Sequence, residues 1–270
     1  MSKLLVHSRQ PDSTACVLEV TPESAGWRYV GFAVHVLQAG SSVQKTNAGR
    51  ETCVVVLSGT VVVSVGGQRF DAVGSRRSVF DEQAPDAVYV PAGQPMEITA
   101  VNDAEVALCT APSNGQQPPR LIRGEEMSVE ERGTGTNRRI VRNVLPETEP
   151  ADSLLIAEVI TPAGNWSSYP PHKHDADNLP EESALEETYY HRLNPPQGFA
   201  FQRVYTDDRS LDESMAVHDG DCVLVPRGYH PVGAAHGYDL YYLNVMAGPK
   251  RTWLINNDPA HEWIVKPVSG

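Results

Sequence analysis

Apolar residues along this chain come in short runs cut by Gly, Pro and Asp. No long stretch shows the three-to-four-residue recurrence of an amphipathic helix. Residues 53–57 are apolar throughout and residues 60–65 nearly so, with Ser58-Gly59 between them, which predicts a hairpin of two buried strands. Residues 199–205 and 238–246 read as strands on the same grounds, and one short helical turn is expected at 180–185. Many short strands with turn residues between them predict an all-β chain of sandwich or barrel type.

The pattern also repeats. Val88-Tyr89-Val90-Pro91-Ala92-Gly93-Gln94-Pro95 matches Val223-Leu224-Val225-Pro226-Arg227-Gly228-Tyr229-His230 at an offset of 135 residues. Leu37-Gln38-Ala39-Gly40 echoes Thr161-Pro162-Ala163-Gly164, and Leu57-Ser58-Gly59 takes the place held later by Pro196-Gln197-Gly198. Two tandem β-barrels follow, residues 1–130 and 145–270, with a linker around residues 132–142. Counted from Gly40 and Gly164, Ala48 and Arg50 stand where the second half has His172 and His174, and Pro95 stands where it has His230. Only the second half is therefore expected to bind metal, giving one site per chain.

Composition narrows the function classes. The 270 residues are 21% charged and 40% apolar, ordinary for a soluble globular protein. A formal charge of −12, from 34 acidic and 22 basic residues, argues against nucleic acid or an anionic membrane as partner. No apolar run approaches the roughly 18 residues of a membrane span, and the first residues lack a signal-peptide core, so a cytoplasmic location is expected. Cys16, Cys53, Cys109 and Cys222 are scattered and read as small buried hydrophobes. Residues 132–139 are rich in Gly and Arg but lack the Gly-Lys-Ser/Thr ending of a phosphate loop.

The chemistry concentrates between residues 172 and 236, which hold six of the nine histidines. His172 and His174, in Pro170-Pro171-His172-Lys173-His174-Asp175, are two apart and so share one side of a strand. Glu186-Glu187-Thr188-Tyr189-Tyr190-His191 opens the next extended run, and His230 follows a short apolar strand and a turn. Three imidazoles and a carboxylate make a mixed N/O set suited to one divalent transition metal, with Mn, Fe, Co, Ni and Zn all admissible.

Pro226-Arg227-Gly228-Tyr229-His230 resembles the second motif of cupin barrels. The first cupin motif is departed from, because residues 175–186 lie between His174 and Glu187 where three or four residues are usual. That long insert is expected to be a lid. Together with Gln202-Arg203-Val204-Tyr205-Thr206-Asp207-Asp208-Arg209-Ser210 and Tyr241-Tyr242-Leu243-Asn244-Val245-Met246-Ala247-Gly248, these runs resemble the 5-deoxy-glucuronate isomerases of inositol catabolism. The resemblance implies a bicupin of two jelly-roll-type barrels, an aldose–ketose isomerisation, a small deoxy-uronate as partner, and metal ligands His172, His174, Glu187 and His230.

Glu187 is preferred to Glu186 because it leads an alternating set with Tyr189 and His191, which leaves Glu186 solvated or in support. His191 is the expected proton shuttle or else a partner to a ligand, and Tyr189 joins it as a catalytic candidate. Tyr242 and Asn244 alternate on the last strand as substrate contacts. Arg203 and Arg227 are the expected clamps on a uronate carboxylate, with Gln202 competing with Arg203 for the barrel interior. Asp207, Asp208, Arg209 and Asp212 read as a solvated turn. A cupin dioxygenase and a non-enzymatic sugar-acid-binding bicupin are the rival readings, and apolar faces on the first half would suit a homo-oligomeric contact.

Overall fold

Residues 53–57 are apolar at every position because the strand containing them, Arg50–Ser58, is buried on both faces. Val54 and Val56 pack among Val61, Val63, Val65 and Ile98 inside the first barrel. Cys53, Val55 and Leu57 turn the other way, into a larger apolar cluster shared with Tyr190, Tyr241, Leu243 and Val245 of the second half. The structure, a computed structural model, describes residues 2–265.

The first half holds a six-stranded antiparallel sheet in the order Arg120–Ile122, Ala87–Val90, Arg50–Ser58, Ala104–Pro112, Gly31–Leu37, Cys16–Val20. A four-stranded sheet, Ser42–Thr46, Pro95–Ala100, Val61–Val65, Gln68–Val73, shares its aliphatic core. The second half repeats the order in seven strands: Leu5–Val6, Cys222–Val225, Glu186–Asn194, Asp239–Ala247, Leu155–Thr161, Arg139–Leu145, Val129–Arg132. Its companion sheet is Trp166–Ser167, Val232–Ala234, Ala200–Tyr205, Asp212–Val217. The two large sheets meet in the shared cluster, with the Phe32 and Tyr190 rings 5.5 Å apart. The matching order expresses the sequence repeat, and the fold is all-β and cupin-like.

Buried charge ties the halves together. Glu158 accepts from Arg76 Nη1 at 2.8 Å and Nη2 at 2.9 Å, from Arg142 Nη1 at 2.8 Å and from the Tyr241 hydroxyl at 2.9 Å. A second device is reciprocal. Glu51 of the first half accepts from the backbone N–H groups of Asp152, Ser153 and Leu154 at 2.8, 2.7 and 2.6 Å. Its repeat counterpart, Glu186, accepts from those of Arg28, Tyr29 and Val30 at 2.7, 2.7 and 3.1 Å. Each bond to an ionised acceptor contributes on the order of 1.5–3 kcal/mol.

Four sequence expectations are corrected here. The strands of 53–57 and 60–65 exist but do not pair: one lies in the six-stranded sheet and the other in its companion. Gly59 makes the corner at φ +82°, where a Cβ would lie 2.3 Å from the Asp103 carbonyl oxygen. The expected helical turn at 180–185 is instead a strand, Glu182–Ala184, paired with Asp175–Asn178. Glu182 stabilises that hairpin by accepting from the Asp175 and Ala176 N–H groups at 2.8 and 3.1 Å.

The expected linker, around residues 132–142, is a paired hairpin on the second large sheet, because Arg139–Leu145 has Leu155–Thr161 beside it. Leu5–Val6 crosses over to pair with Cys222–Val225, so strand pairing does not follow a cut at residue 130. The four cysteines are free and buried.

Candidate metal centre

The strand Glu186–Asn194 alternates strictly. Thr188 and Tyr190 share Glu186's parity, toward the first half, while Glu187, Tyr189 and His191 face into the second barrel. Its neighbour brings Met246, Asn244 and Tyr242 directly opposite those three, on the same face. His174 enters just after the strand His172–Lys173, and His230 follows the turn after Cys222–Val225.

The ligand atoms of His174, Glu187 and His230 lie within 4.8 Å of one another, and all three residues are buried. Glu187 Oε2 is 3.0 Å from His174 Nε2 and 3.3 Å from His230 Nε2. The other ring nitrogens are committed elsewhere: His174 Nδ1 lies 3.2 Å from the Leu185 carbonyl oxygen and His230 Nδ1 2.8 Å from that of Gly228. A carbonyl only accepts, so each Nδ1 carries a proton and each Nε2 faces the centre, as a bare lone pair on His230 and as the atom that shares a proton with Glu187 on His174. His230 Nε2 has no hydrogen-bond partner. A bare imidazole lone pair, a carboxylate and a second imidazole nitrogen whose shared proton a cation can replace converge in one buried space, so the donor set fits a divalent transition metal.

Electrostatics agrees with that donor set. Burial pushes His230 down to about 3, keeping it unprotonated. Burial also opposes the charged form of His174, but the hydrogen bond and charge of Glu187 outweigh it and raise His174 above its ordinary value. His172 is pushed down to about 3 by burial, with the His174 and Arg139 charges adding to it. Its ring stands edge-on to His230 with centroids 5.0 Å apart, beside the triad but outside the cluster of three.

Behind the triad lies an aromatic relay. The Tyr189 ring packs 5.6 Å from His230, 4.8 Å from Tyr242 and 5.9 Å from His191, nearly parallel to the last. Tyr189 shares a hydrogen bond with Ser168 Oγ at 2.8 Å, and Tyr242 one with Ser167 Oγ at 2.5 Å. Burial raises both phenols, so both stay protonated. His191 Nε2 lies 2.9 Å from Gln202 Oε1, while Gln202 Nε2 reaches the His230 carbonyl oxygen at 3.4 Å. Gln202 thus accepts from His191, whose Nδ1 is left as a buried lone pair without a partner. Burial lowers His191 to about 4.

The two expected arginines are not brought to the triad. Gln202 takes the interior position, so Arg203 faces out, pairs with Asp212 at 2.8 and 2.7 Å and lies over the Tyr205 ring. Arg227 is exposed in its turn, with Nη2 3.3 Å from Ser210 Oγ. The expected lid is braced rather than loose: Asp175 Oδ2 accepts from Gly228 N–H at 2.8 Å, in the turn that carries His230.

Ser167, Ser168 and Arg139 were missed. For Arg139 the available signal was alternation, since it stands two residues before Val141 on a strand whose inner face is otherwise apolar or amide.

Two facing antiparallel sheets in each half make a cupin-type fold, with the buried His/Glu cluster in the second barrel as its candidate metal site. The chain belongs to the KduI/IolB family, whose profile matches residues 4–264. It is 56% identical over 266 residues to a 5-deoxy-glucuronate isomerase of Geobacillus kaustophilus, covering 98% of this chain and 96% of that one. The crystal structure of an IolB-like protein from Salmonella typhimurium is similar with TM-score 0.94 and 48% identity, covering 97% of this chain and 99% of the other. An oxalate decarboxylase of Lactobacillus farciminis shares the fold alone, with TM-score 0.64 at 13% identity over 95% of this chain and 89% of that one.

Proposed function

We propose that this chain is a metal-dependent aldose–ketose isomerase. It would convert 5-deoxy-D-glucuronate to 5-dehydro-2-deoxy-D-gluconate in a cytoplasmic route of myo-inositol breakdown. The observation that carries the metal dependence is the convergence of the His174 and His230 Nε2 atoms on Glu187, with each Nδ1 tied to a backbone carbonyl. His172 is the fourth ligand in this reading, being the next imidazole to the cluster. A divalent ion, when bound, supplies Lewis acidity for the sugar carbonyl and its neighbouring hydroxyl.

The protein's own residues do the rest. His191 donates through Nε2 to Gln202, so Nδ1 is the atom that takes up and returns the proton moved between adjacent carbons. With its pKa near 4 it is neutral at physiological pH, as a base must be. Tyr189 and Tyr242 keep their protons and orient sugar hydroxyls, each phenol positioned by a serine. Asn244, opposite Tyr189 on the inner face, adds an amide to the same wall.

The test is NMR-monitored conversion of 5-deoxy-glucuronate in deuterated water, by chelated protein and after return of single divalent metals. Turnover only with metal, and solvent deuterium in the product, is the expected result. Full turnover by the chelated protein overturns the metal dependence, and product without deuterium overturns the proton shuttle.

A further inference from the structure

Arg139 opens the strand Arg139–Leu145, and its register places it on the working face of the barrel. Val141 lies opposite Val159, Val159 opposite Tyr242, and Tyr242 opposite His191, all on one face. Arg139 shares that face two residues before Val141. It therefore stands beyond the His191 row, at the end of the face away from Glu187. Four residues of strand, about 13 Å, separate Glu187 from His191.

The guanidinium is half-buried and pinned on one side only. Nη1 donates to the Asn137 carbonyl oxygen at 3.1 Å and reaches its side-chain oxygen at 3.4 Å. Asn137 is itself anchored through Nδ2 to the Tyr169 carbonyl oxygen at 2.8 Å, at the head of the segment leading to His172. Arg76, Arg142 and Arg192 each face a carboxylate. Arg139 has no carboxylate within 4.0 Å among the described residues, and its remaining donors carry no side-chain or backbone partner there.

We propose that Arg139 receives the carboxylate of the sugar acid and so selects uronates over neutral sugars, an inference that rests on the isomerase reading above. A cation set into a barrel wall without a counter-ion is complementary to an anionic ligand end, and the planar guanidinium offers two parallel donors to a carboxylate. The reacting end of the sugar would lie at the triad and the acid end at Arg139.

The test compares the acid with its C6 alcohol analogue, 5-deoxy-glucose, in the metal-loaded wild type, Arg139→Met and Arg139→Lys. Arg139→Met should lower kcat/KM for the acid at least about 30-fold, chiefly through KM, and leave the neutral sugar within a few-fold. Arg139→Lys should keep part of the preference for the acid. Equal losses on both sugars would mean a structural role and overturn the proposal.

Calorimetric binding of D-gluconate to chelated protein gives a second readout that does not require turnover. Wild-type binding that Arg139→Met abolishes supports the carboxylate site even if the isomerase reading fails. Binding equal in the two proteins, or undetectable in both, overturns it.

Discussion

Replacing Glu187 by Gln removes one charge from the triad with almost no change of shape, so its effects on stability and on metal binding should part company. Glu187 is 1% exposed and faces two imidazole nitrogens at 3.0 and 3.3 Å. Without metal that carboxylate is held by His174 alone, and an amide there can donate to an Nε2 lone pair instead. Chelated Glu187→Gln should therefore be at least as stable as chelated wild type, because a poorly compensated buried charge has gone.

With metal the order reverses. At free metal 100-fold above Kd, wild type gains about 2.7 kcal/mol of stability. If loss of the anionic ligand weakens binding about 100-fold, the variant gains only about 0.4 kcal/mol at the same concentration. For a chain of this length that difference corresponds to a shift in Tm of about 5 °C in wild type against about 1 °C in the variant. Thermal melts of chelated protein titrated with Mn, Co or Zn measure both quantities. A variant with the full metal-induced shift, or one that is several kcal/mol less stable without metal, would refute the assignment of Glu187 as a ligand.

Other expectations concern its neighbours. Glu186→Gln breaks up three charge-assisted bonds to the amides of residues 28–30 and should cost about 3 kcal/mol in urea denaturation; a change under about 0.5 kcal/mol would show the contact to be idle. His174→Ala should abolish metal uptake by a folded protein, and His172→Ala should weaken it at least about tenfold; unchanged affinity in the latter would reduce the ligand set to three. His191 is lowered to about 4 in the fold against about 6.5 unfolded, so the unfolded chain binds the extra proton between those values. Its contribution is complete above pH 6.5 and falls by about 3 kcal/mol as the pH drops to 4. His191→Gln should flatten the stability profile of chelated protein by one proton in that window, and an unchanged slope would show that His191 does not titrate as argued.

What could be read along the chain was whatever depends on near neighbours. Continuous apolar runs marked strands buried on both sides, and the turn at Pro226-Arg227-Gly228 marked the approach to His230. Alternation separated Glu187 from Glu186 correctly as to face. It could not say that the other face meets a second barrel, because Arg28–Val30 is more than 150 residues away in the chain. The same limit made a hairpin of residues 53–65: local apolarity predicts two strands, but the corner at Gly59 sends them to different sheets. Arg139 was lost in a supposed linker, since a charged run declares itself a strand only when Leu155–Thr161 is known to lie beside it. Gln202 and Arg203 were even candidates by parity until the barrel wall chose between them.

The paired clamps at Glu51 and Glu186 bear on what this chain can tolerate over evolutionary time. The first half holds Glu186 through peptide N–H groups rather than side chains, and Glu186 adjoins the carboxylate of the triad. For this clamp each of residues 28–30 needs only its amide hydrogen, although Val30 is also held by its place in the buried core. Proline is the one residue that cannot serve there. A duplicated half that carries none of the triad still supports its twin, and at residues 28–30 part of its record of constraint should be written in the backbone, as forbidden prolines.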